Sequence, residues 1–344
     1  MPLKNQQYSQ FSAEFENFLK GQTEGNPLAA LPLEEVREAV ANAESALWDR
    51  DSEGIKWREL SISAPSVGLE VPIRIYEPST SPQELPGHIA FMIHGGGWTL
   101  GGAYSDSFAV RALVRRLGMV VVTIGYHLAP ENPFPVALNE CCDALHWICT
   151  QSGLVKSPQQ KLVMAGFSAG GNLSAAVTQW ACRNRLARHI AAQVLFSPAT
   201  CHYKQLAHAS HAFNTELESI NNATSPFLSP EQLKGFWDIY DAADGKDSRV
   251  SPLLAENLST QPPTYIQVCG ADPLRDEGLA YAERLQRAGV EVGIDIYAGM
   301  PHAYHSDLIA IPGRGRTMDD LVKWLSLVLS PRSISEDSIK SQLS

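Results

Sequence analysis

Leu162-Val163-Met164-Ala165-Gly166-Phe167-Ser168-Ala169-Gly170-Gly171 runs from an apolar stretch through a G-x-S-x-G pattern into an alanine-rich segment with helical character to about residue 188. A short apolar run followed by a helical pattern puts Ser168 on a tight strand-to-helix turn. Such a turn strains the backbone at the serine and brings strand and helix into close approach. Side chains two positions before and after the serine would collide, and Gly166 and Gly170 remove them. The helix that follows aims its free amides and positive dipole end at the hydroxyl. The five-residue pattern is weak alone; with a strand before it and a helix after it, a nucleophile is favoured over chance.

The same alternation extends in both directions. Apolar runs at 71–76, 88–93, 120–126, 162–166, 192–197, 265–270 and 293–297 are interleaved with helical patterns at 106–117, 136–150, 169–188, 276–288 and 316–329. This predicts an α/β fold, a mostly parallel central sheet flanked by helices. Residues 55–61 and 71–76 leave no room for a helix between them and predict an antiparallel hairpin. Upstream, Phe11, Phe15, Phe18 and Leu19 recur at helical spacing, and Pro32 opens a second helical run through Leu47.

Between 200 and 247 the alternation stops. This stretch is rich in His, Asn and Ser and ends in an aromatic group, Phe227, Phe236, Trp237 and Tyr240. A structureless loop of that length is improbable in a compact domain. The expected organisation is therefore N-terminal helices over 1–50 forming part of a cap, a catalytic domain over 51–199 and 248–330, and a cap insertion over 200–247. A flexible tail over 331–344, rich in Ser and charge, completes it.

Whole-chain properties remove several function classes. A formal net charge of −10 over 344 residues argues against a nucleic-acid or anionic-membrane partner, since both need a basic face. No apolar stretch approaches the 18 residues of a membrane span, and the first ten residues lack the apolar run of a secretory signal. Cys141, Cys142, Cys149, Cys182, Cys201 and Cys269 show no metal-ligand spacing, which points to reduced thiols and a cytoplasmic location. A homodimer is left open.

A second chemical signal is His94-Gly95-Gly96-Gly97-Trp98, directly after the apolar run that ends at Ile93. Bare amides on a glycine loop stabilise a developing oxyanion without steric obstruction, each worth about 3 kcal/mol of barrier. No P-loop or dinucleotide fingerprint accompanies the loop to make it a phosphate cradle. In this arrangement an acid and then a histidine must follow the serine, each on a loop after a late strand. Asp272 and His302 fit, 30 residues apart, with one helix and one strand between them. Asp276, Glu277 and His305 compete, though the two acids fall within the following helix, where capping or ion pairing is the default. Trp98, Tyr104, Phe167, His202, Tyr203, Phe227 and Trp237 are candidates for lining a substrate pocket, against core or lid packing as the alternative. The chemistry needs neither metal nor cofactor.

Together these segments resemble the hormone-sensitive-lipase-like family of α/β-hydrolases, which are serine carboxylesterases. The resemblance rests on His94-Gly95-Gly96-Gly97-Trp98, on Tyr126-His127-Leu128-Ala129-Pro130-Glu131 with Pro133-Phe134-Pro135, and on the turn at Ser168. It continues through Asp272-Pro273-Leu274-Arg275-Asp276 and Met300-Pro301-His302. It is collinear from about residue 55 to 329. It implies the α/β-hydrolase fold with a helical cap and an ester hydrolase with Ser168, Asp272 and His302 as its triad. It also implies an oxyanion hole of the Gly96, Gly97 and Ala169 amides, and a small, short-acyl ester as substrate. Three departures stand out: Phe167 where many relatives carry an acid, His127 in place of Arg, and Ala303-Tyr304 in place of Gly-Phe. None removes a catalytic group. A lyase or cyclase on the same scaffold and a catalytically silent small-molecule receptor are the alternatives.

Overall fold

The computed structural model describes residues 5–21, 31–80, 87–215, 217, 219–222 and 225–330. The tail over 331–344 and parts of the two expected cap segments lie outside the described residues.

Two helices come first, α1 (Ala13–Lys20) and α2 (Leu33–Arg50). The chain then builds β1 (Ile55–Ala64), β2 (Leu69–Pro78), β3 (Ile89–Ile93), α3 (Ser107–Leu117), β4 (Val120–Ile124), α4 (Val136–Thr150), β5 (Leu162–Phe167), α5 (Ala169–Arg183) and β6 (Ile190–Phe196). The segment that interrupts the alternation holds α6 (Leu206–Phe213), α7 (Ser219–Asn222) and α8 (Pro230–Tyr240). The last units are β7 (Thr264–Cys269), α9 (Arg275–Arg287), β8 (Val292–Tyr297) and α10 (Gly315–Leu329).

The eight strands form one sheet in the order β1-β2-β4-β3-β5-β6-β7-β8. β1 and β2 are the expected antiparallel hairpin, β2 is also antiparallel to β4, and every remaining pairing is parallel. This is the α/β-hydrolase fold. The helical pattern expected to 188 stops at Arg183, because Arg185 adopts a left-handed φ of 62° that cannot continue a helix.

Strand alternation sorts the core into two layers. Ile89, Phe91 and Ile93 of β3 face one side, with buried residues of α4, α5 and α9. Ala90 and Met92 face the other, with Phe108 and Leu113 of α3 and Leu321 and Leu325 of α10. Burial on both faces explains why these strands read as continuous apolar runs. A parallel sheet gathers its strand ends at one edge, and the loops after β3, β5, β7 and β8 meet there, where ligands of open α/β sheets bind.

Candidate active site

Ser168 sits between β5 and α5 with φ 54° and ψ −115°, a conformation costing a non-glycine residue about 1–3 kcal/mol. The surroundings hold it there. Its amide donates to the Phe196 carbonyl at 2.9 Å, and its carbonyl accepts from Asn172 at 3.0 Å and Ala199 at 3.2 Å. A β-carbon on Gly166 would run into the Gly170 carbonyl, and one on Gly170 into the carbonyls of Ile93 and His94. The two glycines are thus required by close approach, as the sequence pattern implied.

Asp272 and His302 follow β7 and β8, whose exit loops are laced together. Gly270 N–H donates to the Tyr297 carbonyl and Ala271 N–H to the Met300 carbonyl, both at 2.9 Å. His302 Nδ1 lies 2.7 Å from Asp272 Oδ2, and His302 Nε2 lies 3.1 Å from Ser168 Oγ. The other Asp272 oxygen accepts the Leu274 amide at 2.9 Å. With the carboxylate able only to accept, Nδ1 carries the imidazole proton and Nε2 faces the serine as a base. All three side chains are buried, Asp272 almost completely. This geometry can take a proton from a hydroxyl and return it to a leaving group.

The competitors have other partners. Asp276 accepts from Arg275 Nε at 2.9 Å and from the Ser219 amide at 2.8 Å. Glu277 accepts the amides of Thr200 at 2.7 Å and Cys201 at 3.1 Å, tying the segment after β6 to α9. His305 is enclosed by Phe108, Phe167 and Phe196, and burial pushes its imidazole down to about 3.

The chain's beginning clasps the His302 loop, which no sequence pattern signalled. Gly299 N–H donates to the Tyr8 carbonyl at 2.8 Å, and Ser12 N–H donates to the Gly299 carbonyl at 3.3 Å. Gly299 adopts φ 69° and passes so close to residues 10–12 that a side chain there would clash.

In the glycine loop, Gly96 and Gly97 take φ values of 106° and 60°. Gly95 N–H donates to Asp106 Oδ2 at 2.9 Å, while the Gly96 and Gly97 amides find no acceptor among the described residues. The Ala169 amide, in the first turn of α5, has no intrahelical partner. The His94 ring stacks on Tyr126 at 4.1 Å, and its Nδ1–H donates to the Gly95 carbonyl at 2.7 Å. Burial pushes the His94 imidazole down to about 4. His127 has a structural role: its amide and Nδ1 both bond the carboxyl of Glu140, at 2.7 and 2.6 Å.

A pocket of about 250 Å³ opens over Ser168 and His302. Of the lining candidates, Trp98, Phe167 and Phe227 border it, and Tyr104, His202, Tyr203 and Trp237 do not. Trp237 is spent on packing, 4.3 Å from the Trp98 ring, with His202 4.9 Å behind it and Tyr203 stacked on His202 at 4.8 Å. Tyr104 lines a separate surface hollow beside Gly102 and His127. Residues not offered as lining candidates also border it, among them Val40 and Glu44 from α2 and Leu233 and Phe236 from α8. Among the described residues no group of three or more His, Cys, Asp or Glu could hold a metal ion, and no helix is long and apolar enough to cross a membrane.

A strained serine at the carboxyl edge of a mostly parallel eight-stranded sheet defines the α/β-hydrolase class. The chain belongs to the alpha/beta hydrolase fold family, whose model matches residues 90–306, and to its hormone-sensitive-lipase-like branch. It is 32% identical to Carboxylesterase NlhH of Mycobacterium tuberculosis over 74% of this chain and 78% of that one. It is 28% identical to an ethyl acetate hydrolase of Pseudomonas putida over 81% of this chain and 85% of that one. Among solved structures, vibralactone cyclase superposes with a TM-score of 0.83 at 26% identity, covering 94% of this chain and 96% of that one.

Proposed function

We propose that this chain is a serine carboxylesterase acting on small, short-acyl esters through an acyl-enzyme on Ser168. The observation that carries the reading is the unbroken hydrogen-bonded run from Ser168 through His302 to Asp272, at 3.1 and 2.7 Å. His302, oriented by Asp272, accepts the Ser168 proton as the oxygen attacks the ester carbonyl. The resulting oxyanion is met by the amides of Gly96, Gly97 and Ala169. His302 then protonates the departing alcohol, and water repeats the sequence to release the acid. Esterases among the relatives support the reaction class, and a pocket of about 250 Å³ supports a small substrate. The contribution of α2 and α8 to the pocket walls supports a cap built from the N-terminal helices and the 200–247 insertion.

The test is a series of p-nitrophenyl esters from acetate to laurate, with products identified. Ser168→Ala is expected to lower kcat by roughly 10⁴-fold or more. Near-normal turnover in that variant would end the reading. A second reading, cyclisation on the same scaffold, is favoured by the likeness to vibralactone cyclase. Its signature is a Ser168-dependent product that has not gained the elements of water.

A further inference from the structure

α2 is an amphipathic helix with two buried side chains, Trp48 and Glu44. Trp48 packs against Tyr76, with ring centroids 4.8 Å apart. Glu44, one turn earlier, is only 6% exposed and borders the same pocket as Ser168 and His302. Burying a carboxyl costs stability unless its oxygens are met, and a leucine at this position would cover the same wall without that cost.

The protein meets that carboxyl only in part. The Asp106 backbone lies beside it, and the Asp106 side chain, also on the pocket wall, accepts the Gly95 amide at 2.9 Å. Among the described residues no cation lies within salt-bridge distance of either carboxyl. Arg111, whose charge reaches Glu44, is already paired with Asp51 at 3.1 Å and with Asp307. Asp307 and Tyr104 are the other titratable groups whose fields couple to Glu44. Much of the remaining wall is hydrocarbon, from Val40, Leu100, Leu233, Phe236 and Leu308. A polar corner in an apolar pocket of this size fits a substrate that carries one polar group at a defined place.

We propose that Glu44 is a specificity-determining residue whose carboxyl, backed by Asp106, hydrogen-bonds a hydroxyl on the ester substrate, so that the enzyme selects hydroxylated over purely hydrocarbon small esters. Burial pushes the Glu44 carboxyl up to about 8, so at neutral pH it both donates and accepts, as a hydroxyl does. The inference rests on the esterase reading of this site.

The experiment compares kcat/KM within two ester pairs. p-Nitrophenyl 3-hydroxybutyrate against p-nitrophenyl butyrate probes the acyl side, and 3-hydroxypropyl acetate against propyl acetate probes the alcohol side. In the wild type, the hydroxylated member of at least one pair is expected to be favoured by about tenfold, the size of one buried hydrogen bond. Glu44→Leu, or Glu44→Ala if the leucine variant does not fold, brings that ratio to about one. Glu44→Gln, which still donates and accepts, keeps most of it. Wild-type ratios near one in both pairs, or a ratio that survives Glu44→Leu or Glu44→Ala, overturn the proposal. Ser168→Ala distinguishes the two failures: turnover persisting there overturns the esterase reading, whereas flat ratios with Ser168→Ala inactive overturn only the role of Glu44.

Discussion

The ring of Phe167 lies over the imidazole of His302, centroids 5.0 Å apart and planes 25° apart. The same ring meets the Gly95 backbone, so close that a β-carbon there would fall 2.6 Å from it. One side chain therefore props both the His302 ring and the start of the glycine loop. Phe167→Ala is expected to lower stability by about 3–5 kcal/mol and kcat by more than it alters KM, because it removes the support of His302 as well as one part of the pocket wall. Thermal melts with steady-state kinetics on an activated acetate ester check this. A variant with unchanged kcat would show that the base is held by Asp272 alone.

His305 also meets the Phe167 ring, 4.3 Å away and nearly perpendicular. Its imidazole is lowered from 6.5 to about 3, by burial first and the nearby His302 second. The unfolded chain therefore takes up a proton as pH falls below about 6.5 while the folded chain does not, and stability is lost between those two values. His305→Phe removes this loss. Its Tm relative to wild type is expected to rise on going from pH 7.5 to pH 5, with activity within about tenfold of wild type. His302→Gln, in contrast, lowers kcat by roughly 10⁴-fold. Equal damage from the two substitutions would remove the distinction between them.

The contrast between these two histidines shows what the sequence made legible. Strand–helix periodicity located every strand of the sheet, and the α4 pattern over 136–150 matches the observed Val136–Thr150. Chain order and loop position favoured Asp272 and His302 over Asp276, Glu277 and His305, and the structure brings the first two together beside Ser168. The pocket was less legible, for a physical reason. Aromatic character does not say which side of a residue faces a cavity, so Trp237 and His202 read the same as Trp98 and Phe227. Glu44 shares its helix with Glu34, Glu35 and Glu38, and no local pattern sets it apart from them. The clasp of Gly299 by Tyr8 and Ser12 joins segments nearly 290 residues apart and leaves no local pattern.

Close approach at the serine turn gives a paired prediction. Gly170→Ala places a methyl inside the carbonyls of Ile93 and His94, all backbone and unable to yield. It is expected to abolish soluble expression or to lower Tm by well over 10 °C. Gly235→Ala, in α8 with nothing within 4 Å of the added carbon, is expected to be neutral or to stabilise by about 0.5–1 kcal/mol. Comparable losses at both positions would mean that α8 tolerates no change of its own, and that the turn is not singular.

Arg37 fastens the first half of α2 to the body of the protein. Its Nε donates to the Thr99 carbonyl and Nη2 to the Ala129 carbonyl, both at 2.9 Å, and the guanidinium also spans the two carboxylate oxygens of Glu131 at 3.0 and 2.8 Å. Those carbonyls belong to the loops after β3 and β4, so one planar group fixes the helix that carries Val40 and Glu44 over the pocket. The Glu131 carboxylate is mostly solvated, and an exposed ion pair contributes little. The two carbonyl contacts need the fork geometry that lysine lacks. Arg37→Lys is therefore expected to raise KM several-fold for small esters with kcat less affected, and to lower Tm. Glu131→Gln is expected to do less on both counts. The reverse order, read by kinetics and melts on the two variants side by side, would mean that charge rather than fork geometry holds α2 in place.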